Sequence, residues 1–458
     1  MKKTYAFLLA ALSLFAASHA AEPNILFILV DDMGWTGTSV PMRENDPNSK
    51  SDFYQTPHLE TLAAQGMVFS NAYAPAALCT PSRAAILTGK TPAELQMTTP
   101  GAGRPQSYQK LASAQFVRSL PSSEITLAET LKSKGYSTAH FGKWHLGKAS
   151  PSEHGFAEHD GATGNDAPAN KDGNNPKDIF GITDRAIDFL SRQAKAQSPF
   201  YLQLSHYAVH TPFEALSETE AEYRKKSKGK RHSDPSYAAM TQNLDTSIGL
   251  LLAKLDELGL RDETYIVLMS DNGAGSNRRI QANTPLQGGK GTFYEGGIRV
   301  PLIISGPGIP HAYSQESVSG CDLYPTFAAL AGIELEHRIA GTSLTPLLAD
   351  PTGRLTREQT PFLFHFPHYG KGPLQKPQSA LIAGDYKLLK DLETGTLQLF
   401  NLKQDLGETK DLSKRQAEKT AELAKRLEQL LRQANAQMPT ANRTYDPNAA
   451  PPNRNRRN

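Results

Sequence analysis

The run Asn24-Ile-Leu-Phe-Ile-Leu-Val30 has no polar residue after its first position and stops at Asp31-Asp32. A strand that is apolar on both of its alternating faces must be covered on both, which predicts the centre of a sheet held between two layers. Pro199 to Leu204, Thr264 to Met269 and Val300 to Ile304 repeat the pattern, and Tyr136 to Phe141 is a weaker copy. Helical periodicity lies between them, in Thr56 to Gln65, Leu127 to Lys134, Asp178 to Ala194 and Tyr237 to Leu258. Such alternation predicts an α/β fold, a large mostly parallel sheet flanked by helices, with ligands gathered at the carboxyl ends of the strands.

The texture changes near residue 350. Phe362 to Phe366, Ser379 to Ile382, Tyr386 to Lys390 and Leu397 to Asn401 read as short strands joined by turns, and Ser413 to Ala434 as an amphipathic helix. We expect a main domain over 21–350 and a smaller C-terminal antiparallel-sheet subdomain over 351–436. The stretch 437–458, rich in Asn, Pro and Arg, reads as a disordered tail.

The first twenty residues read as an export leader. Lys2 and Lys3 form a positive start, Ala6 to Ala17 an apolar run too short to span a bilayer with ease, and Ser18-His19-Ala20 a cleavage site. No Cys follows the cleavage site and no later stretch reads as a membrane helix, so we expect a periplasmic or secreted protein with no stable membrane anchor. The 49 Lys and Arg against 46 Asp and Glu give a formal charge of +3. That near-balance argues against a nucleic-acid binder working by broad phosphate neutralisation. The two cysteines, Cys79 and Cys321, read by count alone as one disulfide in an oxidising compartment.

Polar residues cluster where apolar strands end. Asp31 and Asp32 follow the first strand, and Asp271 and Asn272 follow Thr264 to Met269. One such aspartate would read as a turn or helix cap. Two clusters offer three carboxylates and an amide, hard oxygen donors that suit Ca²⁺, or with less preference Mg²⁺, and not zinc. In Cys79-Thr-Pro-Ser-Arg83-Ala-Ala-Ile-Leu-Thr-Gly89, Pro81 marks a helix start, with Cys79 at or near its cap and Gly89 near its stop. A group at that helix end faces free N–H groups and the positive end of the dipole, an environment suited to sulfate or phosphate.

These residues carry a resemblance. Cys79-Thr-Pro-Ser-Arg with Thr88-Gly89 resembles the first signature of the type I, formylglycine-dependent sulfatases of the alkaline phosphatase superfamily, and Gly135 to Gly147 resembles the second. Asn24 to Asp32, His210-Thr-Pro212, Ser270-Asp-Asn-Gly273 and Gly289-Lys-Gly-Thr-Phe-Tyr-Glu-Gly-Gly297 follow the family's order. Gly384 to Leu388 and Leu399 to Leu402 resemble its last subdomain. One short motif alone would be weak; ordered matches across the chain are specific.

The resemblance implies a sulfatase of the arylsulfatase or carbohydrate-sulfatase kind. Cys79 would be oxidised by a separate formylglycine-generating enzyme to 3-oxoalanine, whose hydrate attacks the sulfur of a sulfate monoester and then sheds sulfate by re-forming the carbonyl. Asp31, Asp32, Asp271 and Asn272, with the converted Cys79, would hold the cation. Arg83 would steady the hydrate, and Lys143 and Lys290 would bind the sulfate oxygens. His145 would act as the base for elimination and His210 as the acid for the leaving alcohol. The family shapes its substrate pocket partly from the later subdomain, so His365 and His368 are expected sugar contacts. A sulfated carbohydrate, on a galactose- or hexosamine-type sugar, is the expected partner.

Some features stand apart. Many relatives carry an arginine where this chain has Ile382. The basic run Arg224 to Arg231 would attract a sulfated polymer, although a solvated loop is the commoner role of such a run. Asn165 to Asn175 reads equally as a pocket loop or a linker, and Cys321, if Cys79 is converted, as a buried inert thiol. Two other readings compete: a phosphomonoester or phosphonate monoester hydrolase on the same fold, and a non-catalytic sulfated-glycan-binding protein with Cys79 paired to Cys321.

Overall fold

The computed structural model describes residues 22–275, 281–357, 362–370, 372 and 375–451. The expected leader, 1–20, and the end of the expected tail, 452–458, lie outside the described residues. Along the chain run β1 (Asn24–Val30), α1 (Pro57–Ala64), β2 (Gly66–Tyr73), α2 (Cys79–Thr88), β3 (Leu111–Ala112), α3 (Leu127–Ser133), β4 (Ser137–Gly142) and β5 (Glu158–His159). Then come α4 (Ile179–Ala196), β6 (Phe200–Ser205), α5 (Ser217–Lys225), α6 (Pro235–Glu257), β7 (Thr264–Ser270), α7 (Glu295–Ile298), β8 (Leu302–Ser305), β9 (Ala312–Ser319), α8 (Leu323–Leu330) and α9 (Thr345–Ala349). The later part holds β10 (Phe362–Phe366), β11 (Gln378–Ala383), β12 (Tyr386–Asp391), β13 (Leu397–Asn401), α10 (Ala417–Gln433) and β14 (Thr440–Ala441).

Eight strands form one sheet in the order β5-β4-β6-β1-β7-β8-β2-β9. Pairing is parallel except where β8 runs against β7 and β2. β1 shows why the sheet has two covers. Leu26, Ile28 and Val30 enter the cluster built with α4 and α6, while Ile25, Phe27 and Leu29 enter the cluster built with α2, α3 and α8. Every residue of β1 is buried, as the uninterrupted apolar run requires.

The second sheet, β10-β11-β12-β13, is antiparallel throughout. Its side chains alternate between two partners. Phe364, Phe366, Ala380, Ile382 and Leu389 pack with Tyr73, Phe293 and Ile298 of the main domain. Leu363, Leu381, Leu388 and Leu399 pack beneath Leu423, Leu427, Leu430 and Leu431 of α10. A period-two pattern thus lets one thin sheet adhere to two bodies at once.

The expected tail departs from the sequence reading over its described part. Thr440–Ala441 pairs with Leu111–Ala112, and Asn442 Nδ2 donates to the carbonyls of Gln106 and Gln109. Backbone pairing and one buried amide hold a segment whose composition offers little apolar area. Among the described residues, no helix is long and apolar enough to cross a membrane.

Candidate active site

Four adjacent parallel strands, β4, β6, β1 and β7, present their carboxyl ends along one edge of the sheet. Lys143 follows β4, His206 to His210 follow β6, Asp31 and Asp32 follow β1, and Asp271 and Asn272 follow β7. α2 adds Cys79 as its first residue and Arg83 one turn later. Its stop is Gly89 at φ 67°, a left-handed position that glycine takes without strain. The helix thus begins at Cys79, with Leu78 as an N-cap whose side chain makes no capping bond.

Ligand atoms of Asp31, Asp32, Cys79 and Asp271 lie within 4.8 Å of one another. The Cys79 thiol donates to Asp31 Oδ1 at 3.2 Å, and Lys290 Nζ stands 3.1 Å from the sulfur and 2.6 Å from Asp32 Oδ1. Lys143 Nζ is paired with Asp31 Oδ2 and donates to Asn165 Oδ1 at 2.7 Å. Arg83 Nε donates to Asp271 Oδ2 at 2.8 Å, and its Nη1 donates to the Lys143 carbonyl at 2.7 Å. Three carboxylates therefore face three fixed cations, so an added divalent ion would leave the pocket positive and ready for an anionic ester.

The donor set fits such an ion. Besides the carboxylates, Asn272 Oδ1 is buried with no hydrogen-bond partner among the described residues, while its Nδ2 donates to Asp32 Oδ1 at 2.7 Å. An orphaned buried carbonyl oxygen beside hard oxygen donors is what a Ca²⁺- or Mg²⁺-sized cation satisfies. The Asp271 loop is held close to its neighbour: a Cβ on Gly273 would meet the Gly296 carbonyl oxygen at 1.9 Å.

The electrostatics assign protonation states. Burial works to raise Asp31, but the charges of Lys143, Arg83 and Lys290 hold it well below the ordinary carboxylate range. Asp271 is pushed up to about 7 by burial and by Asp31, against Arg83. Burial, with Asp271 and Asp31, drives the Cys79 thiol far above its usual value. As a thiol, Cys79 is thus protonated and a poor nucleophile, despite its place at a helix N-terminus. His145 falls to about 3 through burial and the charges of Lys143 and Arg83, so its imidazole is neutral and accepts a proton only where an anion offsets those charges. It sits in the left-handed region, at φ 56°, with Nδ1 buried and without a partner among the described residues. His210 is also lowered by burial; its Nδ1 donates to the Thr211 carbonyl at 2.6 Å, leaving Nε2 3.8 Å from Asp32 Oδ2.

Ten of the expected residues converge here, and two do not. His365 is 3 % exposed and spans Ser379 Oγ and the Gln437 carbonyl; His368 is fully buried against Thr98 Oγ1. Both are packed within the body and offer no edge to a sugar, which corrects their reading as substrate contacts. Cys79 and Cys321 are free cysteines, the first held in the carboxylate cluster and the second buried 3.7 Å from the Lys90 carbonyl. The paired-cysteine binding protein loses its basis. Arg231 is spent on the carbonyls of Pro47, Asn48 and Lys50, so one end of the basic run is structural.

The structure also adds Asn165, which the bond to Lys143 makes part of the pocket wall. The Gly- and Asn-rich stretch that begins there was equally readable as a linker, and only three-dimensional placement separates the two.

Comparison with known proteins accords with this geometry. Residues 23–333 match the family described as Sulfatase, and residues 289–437 the one described as N-sulphoglucosamine sulphohydrolase, C-terminal. A protein named Sulfatase from Formosa agariphila is 30 % identical over 90 % of this chain and 88 % of its own. Arylsulfatase A of Homo sapiens is 32 % identical over 76 % of this chain and 70 % of its own. The crystal structure of Ps i-CgsB in complex with k-i-k-neocarrahexaose superposes with a TM-score of 0.74 at 26 % identity, covering 90 % of this chain and 93 % of that one.

These matches support the alkaline phosphatase superfamily, and the carboxylate and ammonium pocket at the carboxyl edge of the sheet accords with them. The chain belongs to the sulfatase family within that superfamily, whose members hydrolyse sulfate esters.

Proposed function

We propose that this sulfatase removes sulfate from a sulfated carbohydrate, using a formylglycine made from Cys79 and a bound Ca²⁺. The observation that carries the reading is the position of the Cys79 side chain, at a helix N-terminus and 3.1 Å from the Lys290 ammonium. The thiol there is held protonated, so conversion to an aldehyde gives the position a purpose that the thiol lacks.

Asp31, Asp32, Asp271 and Asn272 would hold the cation, with the converted residue 79 beside them. When bound, the cation polarises a sulfate oxygen and the formylglycine hydrate supplies the attacking hydroxyl. Lys143 and Lys290 donate to the other sulfate oxygens, where negative charge grows in the transition state. Arg83 fixes Asp271 and the Lys143 backbone, keeping those donors in place. His145 takes the proton that must leave during elimination, and His210 Nε2, once it has taken a proton from the Lys290 ammonium, passes it to the departing sugar oxygen. The neighbour bound to k-i-k-neocarrahexaose supports a carbohydrate substrate. Export by a leader over 1–20 to the periplasm or the medium belongs to the same reading, and brings the enzyme to polymers that cannot enter a cell.

The test is the mass of the tryptic peptide Ser51 to Arg83 from protein made in its own host, whose only cysteine is Cys79. Replacement of sulfur by a carbonyl oxygen is expected; an unmodified thiol in active enzyme would overturn the mechanism. Paired sulfate and phosphate esters of one alcohol test the ester, with the sulfate expected to turn over far faster.

A further inference from the structure

Lys177 is a buried lysine beside this pocket that the mechanism leaves without a task. Its side chain is 5 % exposed, and among the described residues its only ion-pair partner is Glu214 Oε1, at 4.0 Å, beyond hydrogen-bond distance. Glu214 is itself 38 % exposed and also accepts from the Lys177 backbone N–H at 3.3 Å. A lysine whose stem is buried and whose ammonium has no hydrogen-bonded counter-ion is placed to take up an anion at its tip.

The backbone is set for this placement. Lys177 and Asp178 are consecutive left-handed residues, at φ 52° and 55°, and neither is glycine. Non-glycine residues of this kind persist only where neighbours over-determine them, and they concentrate at functional sites. Here Asn175 Oδ1 accepts from the backbones of Phe180 and Gly181, and Asp178 is paired with Arg185 at 2.6 Å. Asp32 and His145, both in the active site, share the left-handed geometry.

The position is next to the reacting centre and outside it. Asp178, the next residue, pairs with Arg185 at 2.6 Å, Arg185 also holds Asp160 at 2.9 Å, and Asp160 accepts at 2.7 Å from the N–H of Gly142, which immediately precedes Lys143. Yet no hydrogen bond or ion pair joins Lys177 to Asp31, Asp32 or Cys79 among the described residues, whereas Lys143 and Lys290 make such contacts. An anion meeting Lys177 is therefore adjacent to the sulfate under attack. Glu214 lies four residues beyond His210, on the segment proposed to face the leaving sugar.

We propose that Lys177 is a specificity residue that receives a second anionic group, a sulfate ester or a carboxylate, on the sugar being desulfated or on the one next to it. Glu214 holds the ammonium between turnovers and yields it to the substrate. The proposal rests on the carbohydrate reading above.

The experiment compares wild type, Lys177→Met, Lys177→Arg and Glu214→Gln on nitrophenyl sulfate and on galactose- and hexosamine-containing disaccharides bearing one sulfate, two sulfates, or one sulfate and a uronate. Wild type is expected to prefer a doubly anionic disaccharide. Lys177→Met should lose that preference, with a KM-dominated fall roughly thirty-fold greater than its fall on nitrophenyl sulfate. Lys177→Arg should keep most of it, and Glu214→Gln should keep or raise it. The uronate and disulfate arms identify which anion is read. Equal losses on all substrates, or a fall in preference in Glu214→Gln, would overturn the assignment even if Lys177→Met folds poorly. Wild type that cleaves disaccharides without discrimination sinks this inference alone; wild type that cleaves only nitrophenyl sulfate sinks the carbohydrate reading with it.

Discussion

Lys387 of β12 donates a 2.8 Å hydrogen bond to Glu295 at the start of α7, and neither side chain reaches solvent. Glu408 Oε1 lies 2.6 Å from the same ammonium, and Arg299 takes the other oxygen of Glu295. The junction between the second sheet and the main domain is thus apolar packing pierced by a closed charge network. Replacing Lys387 with Met leaves two buried carboxylates facing one guanidinium. We expect a loss of about 3–5 kcal/mol, read from urea unfolding, with substantial recovery in Lys387→Met/Glu408→Gln. A single variant as stable as wild type would show that the network contributes nothing.

The same network sets a pH dependence. Burial and repulsion by Glu295 push Glu408 up to about 7, against Lys387, from an ordinary value of 4.5. Between those two values the folded protein holds a proton that the unfolded chain has released, so this group makes stability fall as pH rises through the window. Glu408→Gln removes that contribution. Urea midpoints of wild type and variant at both ends of the window should converge on the acid side and shift in the variant's favour on the neutral side. A constant difference would contradict the assignment.

A cation bound by Asp31, Asp32, Asp271 and Asn272 binds the folded state alone, so it must stabilise it. Occupancy at a hundred times the dissociation constant is worth about 2.7 kcal/mol. Chelation should lower both the melting temperature and the rate of sulfate release, and Ca²⁺ should restore both more fully than Mg²⁺. Activity and melting temperature that ignore exhaustive chelation would remove the cation from the mechanism.

His210 carries a prediction that separates proton donation from binding. Nitrophenolate leaves without help, whereas a sugar alkoxide needs a proton. His210→Ala should therefore slow sugar sulfates by about a hundred-fold or more while costing nitrophenyl sulfate much less. Equal losses on both would count against the acid role.

The main strands were legible because burial on two faces leaves an uninterrupted apolar run, which only β1 and its close neighbours need. β2 and β9 carry no such run. Ser70 and Asn71 interrupt the first, and the second is an edge strand in which Gln315 is exposed and Glu316 and Ser317 are half-buried. The clustering of the candidate residues was legible because they lie at strand ends inside ordered motifs. Asn165 was not, since a polar residue in a Gly-rich loop looks the same in a linker and in a pocket wall. His365 and His368 failed for the opposite reason. Histidines near a strand end invite a functional reading, but here Ser379, Gln437 and Thr98 satisfy them inside the body.

The pairing of β14 with β3 also sets an order of assembly. Asn442 is made 336 residues after Gln106, to which its amide donates. At ordinary translation speeds that separation is roughly 20 to 70 s. Leu111, beside this late partner, donates its N–H to Tyr369 Oη; the next residue, Gly370, donates to the Gln375 carbonyl, and Gln375 in turn donates to the Lys290 carbonyl. The eight-stranded sheet can close while this chain of contacts to Lys290 still lacks its last anchor. A polypeptide interrupted before residue 440 would present a finished core and an unsecured rim, so ribosomal stalling there would yield protein that resists unfolding yet turns over poorly.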